Sequence, residues 1–196
     1  MIDWTAPPET VAPLLLGAHL THGDVTVRLT EVEAYGGADD PGSHACRGRT
    51  RRNASMFGPP AHLYCYFTYG MHVCANVVTG PEGHGSAVLL RAGEVVSGLD
   101  VARDRRPGIR DRDLARGPAR LVRALALRLE DDGSPLLDGD GPQLEPGEPP
   151  PPDRVSTGPR VGLRQAPERP WRWWLTGDPS VSAYRPATPR KRPPQG

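Results

Sequence analysis

The run from Val25 to Tyr35, VTVRLTEVEAY, constrains the fold more than any other stretch of the chain. Val25, Val27 and Leu29 alternate with Thr26, Arg28 and Thr30, the period of a strand with one buried face. Continuing that alternation puts Glu31, Glu33 and Tyr35 on the apolar face. A carboxylate there loses hydration, so it must be paired, protonated or used in chemistry. Arg91 stands inside AVLLRAGEV, a second strand over residues 87–95, and is the natural partner for Glu33. A structural ion pair and a reactive carboxylate are both open readings of this pairing. Glu31 is the same-face neighbour of Glu33, roughly 6.5–7 Å away along an ideal strand. That spacing also resembles the carboxylate pairs of glycosidases.

A length of 196 residues allows one domain. Proline marks where its core thins: six of the 24 fall between residues 17 and 130, and fifteen between 131 and 196. Residues 130–153 hold eight acids and no Lys or Arg, so the rest of the chain carries +9 against a total of +1. This segment is expected to be a flexible, acidic, Pro-rich loop on a basic body, and residues 183–196 a basic Pro-rich tail. A basic body points to a polyanion partner, although scattered arginines also make an ordinary solvated surface.

Cys46, Cys65 and Cys74 form no CxxC pair, which argues against a disulfide framework and against a four-cysteine metal site. No apolar run approaches membrane length, and Asp3 and Glu9 stand where a signal segment is basic. The expectation is a soluble, cytoplasmic monomer. The only lysine is Lys191, so chemistry through a core lysine Schiff base is disfavoured.

Residues 11–22 fit a short helix or a strand. Gly36-Gly37 and Pro41-Gly42 open a loop that carries His44 and the basic run Arg47 to Arg52. Residues 62–79 read as a hairpin turning near Tyr69-Gly70, 118–129 as a helix, and 160–163 and 171–182 as strands. Tyr35, Tyr64 and Tyr66 are either core residues or stacking walls. Tyr69 differs, because a large aromatic at a hairpin tip has little core to enter and can wedge into a base stack. His62, Cys65, His72 and Cys74 lie close together, but His62 and Cys65 fall on opposite strand faces, which argues against a metal.

Taken in order, EVEAY (31–35), His44, RGRTRRNASMFG (47–58), HLYCYFTYGMHVCANVV (62–78) and AVLLRA (87–92) resemble the alkyladenine (3-methyladenine) DNA glycosylase family. GPARL (117–121), RVGL (160–163) and GDPSVS (177–182) extend the likeness to about residue 182. The resemblance implies a single α+β domain with a curved antiparallel sheet, flanking helices and a protruding hairpin that inserts into DNA. It further implies a monofunctional enzyme that acts on damaged purines in double-stranded DNA, with no cofactor and no catalytic metal. Glu33 then matches the base that activates water, Arg91 its holder, and the Val161 carbonyl a further acceptor for that water. Tyr35, His44 and Tyr66 match the walls around the extruded base, with the His44 backbone bonding its edge. Asn76 matches the residue that excludes normal guanine. Tyr69 matches the duplex-filling wedge, and Met56, near the pocket rim, a second residue that intercalates into the DNA. Two features depart from the pattern: the loop 81–86 is long, and the acidic segment has no clear equivalent. Rival readings are a DNA-binding module without catalysis and a metal-dependent nucleic-acid hydrolase.

Overall fold

The computed structural model describes residues 2–68 and 70–187. The expectations for Tyr69 and for the tail beyond residue 187 therefore fall outside the described residues. A short helix α1 (Pro8–Val11) and a 3-10 turn at Ala12–Leu15 lead into β1 (His19–His22), so the ambiguous segment 11–22 holds both kinds of element. Then follow β2 (Val25–Tyr35), a 3-10 helix at Arg51–Phe57, β3 (Leu63–Thr68), β4 (His72–Thr79) and β5 (Ser86–Ser97). Helices α2 (Leu99–Arg105) and α3 (Pro118–Leu125) precede three short strands, β6 (Gln143–Glu145), β7 (Val155–Gly158) and β8 (Arg172–Leu175).

The strands form one curled antiparallel half-barrel in the order β3-β4-β5-β2-β1-β6, with β8 also on β2 and β7 on β8. The fold is α+β with few helices, as the resemblance implied. Strand β2 organises it. One edge pairs with β5; the other pairs first with β1, through Val25–Arg28, and then with β8, through Glu31–Glu33.

The handover between those partners corrects the reading of β2. Its register with β5 shifts at Leu29/Glu31 and again at Glu31/Val32, so Thr30 and Arg91 are extra residues in the ladder. A bulge reverses the parity of every later side chain. Val25, Val27 and Leu29 enter the main core, but so do Val32 and Ala34. Glu31, Glu33 and Tyr35 therefore point away from the main core, to the opposite face. Both glutamates are still fully buried, because the second face is covered as well.

Other boundaries also move. Helix α3 stops at Leu125 because Ala126 adopts a left-handed conformation (φ 55°), and it packs Leu121, Val122, Ala124 and Leu125 into the core. Segment 160–163 is a turn and not a strand: Gly162 takes φ 69°, and Arg160 is committed to a buried ion pair. Strand structure in 171–182 is confined to β8. The acidic segment is folded onto the sheet edge. Leu136 and Leu144 are buried, β6 pairs with β1, and a Cβ at Gly147 would collide with the Gly17 carbonyl oxygen. Two apolar anchors and a backbone-close crossing order a stretch that its acid and proline content marks as loose.

Candidate active site

The face opposite the main core carries a row of register partners across four strands: Glu33 on β2, Leu89 on β5, Asn76 on β4 and Tyr64 on β3. The next rows add Tyr35, Ala87 and Val78, and Tyr66 with Cys74. Above this face lies a cavity of about 580 Å³, within the range of small-molecule sites. Tyr35, His44, Met56, Tyr66, Asn76, Arg91 and Val161 all line it, so seven of the candidate site residues converge on one space.

Glu33 itself lies immediately behind the cavity wall. Its Oε1 accepts the Val161 N–H at 2.7 Å, and its Oε2 accepts the Tyr35 hydroxyl at 2.9 Å and Arg91 Nη1 at 3.5 Å. All three donors belong to residues that line the cavity. The contact that Val161 makes with Glu33 comes from its N–H, whereas the sequence resemblance had singled out its carbonyl.

Arg91 bonds more closely to Glu31 than to Glu33, with Nε 2.9 Å from Glu31 Oε1. The same oxygen accepts Arg172 Nε at 2.6 Å, and Glu31 Oε2 accepts the Ser182 N–H at 2.7 Å. Glu31 is thus saturated by donors, and it is not among the residues that line the cavity. Burial alone would lower the Arg91 pKa, but Glu33 and Glu31 more than offset it, so the guanidinium stays charged.

The walls are aromatic. The His44 ring meets Tyr66 edge-on at 4.5 Å between centroids, and Tyr64 and Tyr66 lie 5.6 Å apart. His44 Nδ1 is 3.1 Å from the Tyr64 hydroxyl, and the His44 carbonyl accepts Asn53 Nδ2 at 2.9 Å. Asn53 is fixed in turn by a capping box with Thr50, so the basic run supplies the helix that pins this loop. Partial burial of the imidazole, with Arg52 nearby, lowers the His44 pKa and favours the neutral ring near pH 7. Burial, followed by the neighbouring Glu33, pushes the Tyr35 pKa well up, so this phenol keeps the proton it donates. Asn76 gives Nδ2 to the Tyr64 carbonyl at 2.9 Å, which sets the orientation of its amide. Met56 is buried in the wall beside Ala45, Tyr64, Val78 and Ala87.

Sequence reasoning missed the residues that hold this arrangement. Arg160 is 2% exposed and forms a two-pronged pair with Asp40, at 2.6 and 2.8 Å. It also bonds the Ala34 carbonyl, and its guanidinium carbon lies 4.7 Å from the centroid of the Tyr35 ring and 5.3 Å from that of Trp171. Arg160 therefore fixes Tyr35 on one side and, as its chain neighbour, Val161 on the other. An arginine before Val161 and an aspartate in a glycine-rich loop gave no sequence signal, since the two are 120 residues apart. Arg172 did carry one, as a lone charge between tryptophans in WRWW.

Among the described residues, no group of three or more His, Cys, Asp or Glu is placed to hold a metal ion, and no helix is long and apolar enough to cross a membrane. A buried carboxylate behind an aromatic-walled cavity offers a surface on which a flat ring can stack and a group beside it that can accept a proton. The family model for methylpurine-DNA glycosylase (MPG) matches residues 3–179, and the chain belongs to that family. It is 56% identical to a protein of Nocardia farcinica over 91% of this chain and 87% of that one. It is 53% identical to one of Streptomyces avermitilis (95% and 91% covered) and 50% identical to one of Cutibacterium acnes (94% and 100%). All three are described as "Putative 3-methyladenine DNA glycosylase".

Proposed function

We propose that the protein is a monofunctional DNA repair glycosylase that removes alkylated or deaminated purines from double-stranded DNA and leaves an abasic site. Its substrates are 3-methyladenine, 7-methylguanine, hypoxanthine and ethenoadenine. The observation that carries this reading is the fully buried Glu33, whose three donors all come from residues lining one aromatic cavity.

The damaged nucleotide leaves the duplex and its base stacks among Tyr35, His44 and Tyr66. Stacking tolerates several base shapes, and a cationic methylated purine gains a cation–π term. Glu33 takes a proton from water as the water oxygen bonds to C1′, and the N-glycosidic bond breaks with its electron pair leaving on the purine. Arg91 and the Val161 N–H hold the carboxylate in place, and the Val161 carbonyl is a further acceptor for the attacking water. Asn76, oriented by the Tyr64 carbonyl, excludes the 2-amino group of normal guanine. Met56 acts as part of the pocket wall, because a buried thioether is not free to enter a base stack. Tyr69 is the wedge that fills the vacated position. The single lysine, Lys191, supports base hydrolysis without strand cleavage, a step that generally needs an amine.

The test is release of free base, in EDTA, from duplexes carrying a single hypoxanthine or 3-methyladenine. Release by wild type and its loss in Glu33→Gln, with DNA binding retained, is the expected result. DNA binding by wild type without release from any of the four substrates would instead mean a binding module that kept the family shape without its chemistry.

A further inference from the structure

We propose that Glu31 is a positioning residue that holds Arg91 off Glu33, so that the basicity of Glu33 depends on how Glu31 divides its charge between Arg91 and Arg172. The inference rests on the reading of Glu33 as the water-activating base. Two fully buried carboxylates and two nearly buried guanidiniums make up the cluster. Arg91 has both carboxylates within reach and lies closer to Glu31, at 2.9 Å against 3.5 Å to Glu33. Arg172 meets Glu31 from the other side at 2.6 Å, with its guanidinium carbon 4.4 Å from the centroid of the Trp174 ring.

Ser182 ties the group together. Its N–H bonds Glu31 at 2.7 Å, its hydroxyl accepts Arg91 Nη2 at 3.3 Å, and its carbonyl accepts Arg172 Nη2 at 3.1 Å. The other titratable groups facing the cluster are Tyr35 on β2, Tyr66 on β3 and Cys74 on β4, with Arg160 on the segment after β7 and Tyr184, whose ring centroid is 5.8 Å from the Arg172 guanidinium carbon. Burial raises the pKa of Tyr35, Tyr66 and Cys74, which keeps them neutral near pH 7, and Arg160 is neutralised by Asp40. The charge balance at Glu33 is therefore set by two acids and two arginines.

This arrangement predicts opposite signs for two substitutions. In Glu31→Gln, both arginines face one carboxylate, Arg91 closes on Glu33, and the ionised but weaker base is favoured. The acid limb of the single-turnover pH profile then moves down by about 1 unit, and the plateau rate falls by roughly 2- to 10-fold. In Arg172→Gln, two carboxylates share Arg91, and the limb moves up by about the same amount. The double variant restores one acid to one arginine, and its limb returns towards the wild-type position.

The experiment measures single-turnover release of hypoxanthine from a duplex across pH for all four proteins, with folding checked by circular dichroism. A purely structural role lowers melting temperatures and leaves every limb where wild type has it, and that result, or limbs moving in the same direction, overturns the proposal. If Glu31→Gln does not fold, Arg172→Gln and the double variant decide, because an upward shift that the second substitution reverses is expected of them alone. A wild-type protein that releases no base from any of the proposed substrates removes the proposed function, and this inference with it. Release by wild type with unmoved limbs removes only this inference.

Discussion

The two halves of β2 share a strand and a partner, yet they solve opposite problems. In Val25–Leu29 the odd positions enter the core, and the even position Arg28 reaches out to Glu94 at 2.7 Å and Asp178 at 2.9 Å. In Glu31–Tyr35 the core positions are even, and the odd positions carry two buried acids and a tyrosine. One extra residue, Thr30, separates the two regimes. The first half stabilises the sheet by burying apolar area, whereas the second spends buried volume on charge that must be matched by donors. The difference shows how a single strand serves as scaffold at one end and site at the other.

The sharpest way to break the comparison is Glu33→Gln. Loss of the proposed general base is expected to slow base release by about 10²- to 10⁴-fold, measured under single turnover. Some stability falls too, because the amide nitrogen meets either the Val161 N–H or the Tyr35 and Arg91 donors where the carboxylate accepted them, so the rate is read on the folded protein. A folded variant that releases base at close to the wild-type rate would place Glu33 with the scaffold half.

Asp40→Asn comes next. It leaves Arg160 buried without its partner, and removing one member of such a pair costs about 3–5 kcal/mol, read from urea denaturation. Burial alone would raise the Asp40 pKa, but the Arg160 hydrogen bonds hold it below the usual 3.8. A depressed folded-state value stabilises the protein above pH 3.8 and loses that contribution as pH falls through it. The gap between wild type and Asp40→Asn should therefore be full near neutral pH and close in acid. Base release should fall as well, because Arg160 fixes both Tyr35 and Val161.

Much of this was legible in the sequence, and the parts that were not share a cause. Alternation located β2, aromatic and β-branched content located the β3–β4 hairpin, and the resemblance gathered seven of the residues that line the cavity. Alternation could not show the bulge at Thr30, because a register shift is a property of the pairing and is decided by β1, β5 and β8 together. It also gave Arg91 to Glu33, when Glu31 is the nearer partner. The Arg160–Asp40 pair joins residues with no local pattern between them, and the folding of the acidic segment depends on two leucines within a composition that reads as disordered. Local chemistry named the candidate groups; long-range contacts decided which of them are held and by what.

Leu29→Ala probes the scaffold half alone. Truncating a fully buried leucine costs about 2–5 kcal/mol of stability. The single-turnover rate of the folded protein should stay within about twofold of wild type, since additivity holds for sites without shared partners. A large fall in rate at full folding would mean that packing in the first half sets the geometry of the second.

The smallest expected effect lies at the boundary itself. Thr30 is fully buried, and its hydroxyl is 2.8 Å from Ser180 Oγ, which also bonds Asp178 Oδ1 at 2.6 Å. With Ser180 donating to Asp178, Thr30 is the donor in its own bond. Thr30→Val removes that donor and leaves Ser180 with its bond to Asp178 intact, at a cost of about 1 kcal/mol. Two forces can fix the bulge at this position: the exchange of ladder partners from β1 to β8, or the tie from Thr30 to the segment that carries Ser182. If the ladder fixes it, Thr30→Val loses only that stability, and the acid limb of base release stays in place. If the hydroxyl fixes it, the parity of Glu31 and Glu33 loosens and the rate falls far more than the stability does. The first outcome is expected, because the β8 pairing at Glu31, Val32 and Glu33 and the β5 pairing at Val32, Glu33 and Ala34 hold the shifted register independently of that hydroxyl.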